Sequence, residues 1–103
     1  MRTNQLNRGQ NRRLMFIEKK SDPDAAARIG WVRFSRSGRS IYYGDKMLLK
    51  ANVPGGNFID LESNDEYWVS GVKSRGSNTH SAEPRQLEID EDARLEFALL
   101  RAG

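Results

Sequence analysis

The sequence has no cysteine, one histidine and three prolines in 103 residues. Without cysteine there is no disulfide, no thiolate nucleophile and no cysteine-ligated zinc, and the chain suits a reducing compartment. Long apolar runs are missing as well. Leu14-Met15-Phe16-Ile17 is typical of the longest, whereas a membrane-spanning helix needs about 20 residues. The N-terminus carries no apolar stretch of the secretory type. These absences predict a cytoplasmic protein with no membrane partner.

Catalytic and cofactor patterns are equally sparse. His80 is the only candidate base for a serine-type triad. It lies near Ser77, Ser81 and Glu83 in a polar stretch, residues 74–86 (SRGSNTHSAEPRQ), with no scaffold signal around it. It reads as a solvated loop side chain. Asp90-Glu91-Asp92 and the group Asp60, Glu62, Asp65 and Glu66 lack the spacing of a calcium loop. The first reads as a helix start and the second as a solvated hairpin. No pair of carboxylates is singled out for glycoside chemistry. Pro54-Gly55-Gly56 lacks the spacing and lysine of a phosphate loop, and Gly30, Gly38 and Gly44 fit turns and strand bends better than a dinucleotide fingerprint. No catalytic, cofactor-binding or metal-binding residue is therefore assigned, and no cofactor is expected. A binding role is favoured over an enzymatic one, for which His80 and the unassigned acids are the only handles.

What is present is polarised charge. The net charge is +3 and the pI about 9.5, but Arg2, Arg8, Arg12 and Arg13 lie in the first 13 residues, which hold no acid. Residues 14–51 carry eight basic and four acidic side chains, and residues 52–103 carry five and ten. Residues 1–13 contain little apolar surface and read as a flexible basic tail. Residues 14–103 read as a single domain.

Within that domain the apolar pattern is mostly of period two, which marks strands. Leu14–Ile17 reads as a strand running into solvent at Glu18-Lys19-Lys20. Residues 28–36 place Val32 and Phe34 on one face and Ile29, Trp31 and Arg33 on the other. Ser37-Gly38 turns the chain into Ile41-Tyr42-Tyr43, since glycine supplies the positive φ of a tight hairpin. Lys46–Lys50 follows, broken by Pro54-Gly55-Gly56. A second hairpin joins residues 57–62, with Ile59 and Leu61 opposite in face to Phe58, Asp60 and Glu62, to residues 66–73, where Tyr67 and Val69 oppose Trp68 and Val72. After Leu87-Glu88-Ile89, residues 91–102 read as a helix with Asp90 as N-cap, Glu91 and Asp92 favouring its dipole. Its stripe of Leu95, Ala98 and Leu99, widened by Phe97 and Leu100, is expected to pack on the sheet. The predicted fold class is mainly β with a C-terminal helix: a small antiparallel meander forming a curled sheet or a partly open SH3-like barrel.

The blocks ARIGWVRFSRSGRSIYYGDK (27–46), NFIDLESNDEYWVSGVK (57–73) and EIDEDARLEF (88–97) resemble a family of short bacterial proteins with no assigned activity. The resemblance covers most of residues 15–97 and implies a compact bacterial domain. Members open with a stretch like Met15–Lys20, which implies that residues 1–14 are an extension and that the functional chain begins at Met15. No catalytic residue is carried over.

Two binding readings follow. The first is a non-enzymatic protein-interaction module, because polarised charge and Trp, Tyr and Arg anchors favour interfaces. A homo-oligomer, with the basic hairpin of one copy on the acidic C-terminal region of another, belongs to this reading. The second is a nucleic-acid-binding module, in which Trp31, Tyr42, Tyr43, Tyr67 and Trp68 stack bases among Arg28, Arg33, Arg36, Arg39, Lys46, Lys50 and Arg75. The partner-binding candidates common to both readings are Trp31, Arg33, Arg36, Arg39, Tyr43 and Trp68.

Overall fold

The computed structural model describes residues 12–74 and 86–102. Six strands follow one another in chain order: β1 (Arg12–Lys19), β2 (Ala27–Phe34), β3 (Ser40–Tyr43), β4 (Lys46–Val53), β5 (Gly56–Asp60) and β6 (Asp65–Gly71). A short β7 (Leu87–Ile89), a 3-10 turn (Glu91–Ala93) and helix α1 (Arg94–Ala102) complete the described chain. Each of the six strands pairs antiparallel with the next, and β1 also pairs with β6, so the sheet curls into a ring. This is the mainly β fold with a C-terminal helix that the sequence predicts. β7 departs from the meander and joins β2 in parallel, Ala27 opposite Leu87 and Ile29 opposite Ile89.

Alternation along the strands fills the ring. Ile17, Val32, Ile41, Leu48, Phe58, Tyr67 and Val69 form one buried cluster to which every strand of the meander contributes. A second cluster (Phe16, Ala27 and Ile29) lies on the other face, with Leu14, Trp68, Ile89 and Phe97 packed against it. Burying each large aliphatic side chain contributes about 1.5–3 kcal/mol, so the chain secures both faces of β1 and β2. The β2–β3 turn is local chemistry. Gly38 adopts φ +78°, and its N–H donates to the Ser35 carbonyl at 3.0 Å. Ser40 N–H donates to Ser35 Oγ at 3.1 Å.

Several expectations are corrected. β1 begins at Arg12, inside the stretch read as tail, because Arg12 and Arg13 continue the ladder opposite Arg33 and Val32. Glu18 does not run into solvent: it is fully buried, with Lys20 Nζ 3.4 Å from its carboxylate. On β5 the buried pair is Phe58 and Asp60, while Leu61 is exposed in the following turn. Asp60 Oδ1 accepts the Glu62 N–H at 2.9 Å, which makes it a buried turn residue, not a solvated acid. Asp90 precedes the helical segment but makes no side-chain cap; its carboxylate is taken by Arg28 and Tyr43. The segment read as one helix is a 3-10 turn followed by α1, and Leu95 and Leu99 face solvent at 74% and 59% exposure. Phe97, on the opposite side of α1, packs against the sheet instead. His80, Arg75 and the first eleven residues lie outside the described residues.

Candidate functional site

The end of the ring that carries the β2–β3 hairpin is basic. Arg33 on β2 has Arg12 directly opposite it on β1 and Tyr42 directly opposite it on β3. Like charges placed directly opposite on a sheet are unfavourable. Both guanidiniums rest on aromatic rings: Arg12 lies 4.2 Å from the centre of the Trp31 ring and Arg33 4.7 Å from that of Tyr42. At the rim Arg13 lies 5.5 Å from the centre of the Phe34 ring. Each contact is worth about 0.5–1 kcal/mol at an exposed site. Arg36 and Arg39 are exposed on the hairpin, and the Arg39 carbonyl accepts the Lys50 N–H at 2.7 Å, which brings a further cation alongside. Among the described residues none of Arg12, Arg13, Arg33, Arg36, Arg39 and Lys50 is ion-paired with a carboxylate.

Trp31 also anchors the C-terminal segment. Its Nε1–H donates to the Asp92 carbonyl at 2.9 Å. The ring therefore lies between Arg12 and the 3-10 turn.

Tyr43 and Arg28 serve a different cluster, where β7 meets β2. Arg28 donates to Asp90 Oδ1 from Nε at 2.8 Å and from Nη2 at 2.5 Å, to Glu88 from Nη1 at 2.7 Å, and to the Tyr43 hydroxyl at 3.1 Å. Tyr43 in turn donates to Asp90 Oδ2 at 2.5 Å. Burial, followed by the bond to Asp90, raises the Tyr43 phenol well above its ordinary range. The bonds to Asp90 and Tyr43 raise Arg28 above its own. Gly30 makes room for this network, since a Cβ there would collide with the Asp90 carboxylate and lie 2.8 Å from the Tyr43 ring.

The six predicted partner-binding residues are thus divided. Trp31, Arg33, Arg36 and Arg39 share the basic end. Tyr43 is bonded into the Asp90 cluster, and Trp68 packs against Phe16, Ala27 and Ile29 while bordering an open depression of ≈ 400 Å³ with Lys50, Asn52 and Asn57. The reading missed Arg12 and Arg13 as members of the surface. No apolar alternation in the sequence marks them, since Leu14–Ile17 is a continuous run; the pairing of β1 with β2 places Arg12 in phase with Leu14 and Phe16.

Among the described residues no group of three or more His, Asp or Glu side chains is placed to hold a metal ion, and no helix is long and apolar enough to cross a membrane. No family model matches the chain, and neither a curated protein nor a solved structure matches it significantly.

Proposed function

We propose that this domain is a non-enzymatic protein-interaction module that docks an acidic face of a partner protein on the surface of Arg12, Arg33, Arg36 and Arg39. The observation that carries the reading is that cluster of arginines with no carboxylate among the described residues paired to any of them. Arginine and aromatic side chains are the residues that dominate binding energy at protein interfaces. Guanidiniums already resting on Trp31 and Tyr42 have less freedom to lose on docking.

A protein partner is favoured over nucleic acid by the same contacts. The Trp31 and Tyr42 rings carry Arg12 and Arg33 over them, so a base would have to displace a cation before stacking. Residues 12–103, counted from the start of β1, carry a net charge of only +1, which gives little general attraction to polyphosphate. The lack of cysteine and the resemblance of residues 15–97 to short bacterial proteins support a cytoplasmic bacterial setting.

The test compares the full chain with an Arg33→Ser/Arg36→Ser/Arg39→Ser variant, each immobilised and exposed to nuclease-treated host extract, with retained proteins quantified by mass spectrometry. A defined acidic protein held by the full chain, released by moderate salt and lost on the variant supports the reading. Equal retention by both overturns it. Salt-sensitive anisotropy changes with labelled oligonucleotides, abolished in the variant and without any retained protein, assign the surface to nucleic acid instead.

A further inference from the structure

The other end of the ring is open. β2 and β3 pair only through Arg33 with Tyr42 and Phe34 with Ile41, so the strands part beyond that point. The gap leads into a pocket of ≈ 190 Å³ between the start of β2 and the start of β4. Ile17, Ala25 and Ala26 supply an apolar wall. Lys19, Lys46 and the Tyr67 ring supply polar groups.

Tyr67 is the unusual member. Its ring belongs to the interior core and the residue is only 4% exposed. No described residue hydrogen-bonds its hydroxyl, yet no fully buried side-chain polar atom among the described residues lacks a partner. The hydroxyl therefore keeps some exposure, and Tyr67 is among the residues lining the pocket. Burial raises the Tyr67 phenol above its ordinary range, so at neutral pH it remains a hydrogen-bond donor.

The charges around the pocket are mixed: Asp65 and Asp60 act on the Tyr67 phenol, and Lys46 also borders Asp45, Asp60 and Glu62 on its outer side. Lys19 Nζ lies 3.3 Å from Asp65. Arg28 and Tyr43, on the pocket's far side, are bound to Asp90. Lys46 has no carboxylate partner among the described residues. A protonated phenol and an ammonium without a carboxylate partner among the described residues line one pocket beside an apolar wall, a lining that suits an anion with an apolar body. The volume is below the roughly 300–1,000 Å³ of drug-sized sites, which limits the occupant to a small acid.

We propose that the open mouth of the ring binds a small organic carboxylate, its anionic group between the Tyr67 hydroxyl and Lys46 and its apolar body against Ile17, Ala25 and Ala26. This site is at the opposite end of the ring from the arginine surface and does not depend on it.

The probes are sodium benzoate and, for comparison, inorganic phosphate, titrated into the isotopically labelled full chain and followed by amide chemical shifts. Benzoate is expected to give saturable shifts centred on Ala25, Ala26, Lys46 and Tyr67. Lys46→Gln, at an exposed position, is expected to weaken binding about tenfold, and Tyr67→Phe, which keeps the ring, by a comparable factor. Arg36→Ser/Arg39→Ser is expected to leave it unchanged. Non-saturating shifts, shifts centred on Arg33–Arg39, or wild-type affinity in the Lys46→Gln chain would overturn the proposal. Phosphate binding as tightly as benzoate would also overturn it, because the apolar wall would then contribute nothing.

Discussion

Arg28 and Arg33 stand on the same strand in opposite settings. Arg28 is surrounded by Asp90, Glu88 and the Tyr43 hydroxyl. Arg33 faces another arginine and a ring. The first joins β7 and the C-terminal segment to the ring, so its charge is used up in holding the fold. The second contributes little to the fold and leaves its charge available. Removing one partner of a part-buried charged network leaves the other charge poorly solvated, whereas an exposed arginine over a ring contributes only about 0.5–1 kcal/mol. The two ends of β2 should therefore respond very differently to substitution.

The largest effect is expected at Gly30. Gly30→Val places a side chain where the Asp90 carboxylate and Tyr43 ring now sit, and should lower stability by about 3 kcal/mol in urea unfolding. A loss under about 0.5 kcal/mol would mean that the Arg28 end does not hold the C-terminal segment. Next comes Phe97→Ala, expected to cost about 2 kcal/mol because Phe97 is the side chain of α1 packed on the sheet. Leu95→Gln and Leu99→Gln, on the exposed side of the same helix, should stay within about 0.5 kcal/mol.

Tyr43→Phe should cost about 1–2 kcal/mol through the lost bond to Asp90, and its signature is the pH dependence. The folded phenol titrates above its unfolded value. Its contribution is therefore complete below about pH 10, begins to fall as the unfolded phenol ionises there, and is lost as the pH rises through the folded value. Denaturation measured from neutral to alkaline pH should show that decline in the wild-type chain and less of it in Tyr43→Phe.

Trp31→Phe keeps a ring beneath Arg12 and removes the bond to the Asp92 carbonyl. A loss of about 1 kcal/mol is expected from thermal melts. The smallest effect belongs to the basic end. Arg33→Ser relieves the facing pair with Arg12 and should change stability by less than about 0.5 kcal/mol. A large destabilisation there would remove the contrast between the two ends and with it the main support for a docking surface.

Much of the fold was legible because it is local. Ile41 and Tyr43, Phe58 and Asp60, and Tyr67 and Val69 each repeat at the period of a strand, and Ser37-Gly38 marks a turn by its own chemistry. Arg36 and Arg39 were legible for the same reason: residues in a tight polar turn remain at the surface. Arg12 was not, because a strand of mixed charge at a polar N-terminus has no apolar repeat until it is paired. Asp90 was misread for a related reason. Its position before a helical segment predicts a cap, but an arginine and a tyrosine distant in sequence compete for the same carboxylate and make three bonds with it, two of them from one guanidinium, where a cap would offer a backbone amide.

Local sequence sufficed for the six strands of the meander, apart from the start of β1, for the tight turns and for the polarity of charge along the chain, because each depends on neighbours a few residues away. Long-range packing settles that β1 closes the ring by pairing with both β2 and β6, that Phe97 and not Leu95 meets the sheet, and that Arg28 is neutralised while Arg33 is left facing Arg12. Those outcomes depend on which residues from distant segments arrive at the same place, and alternation along a single strand carries no record of its partner.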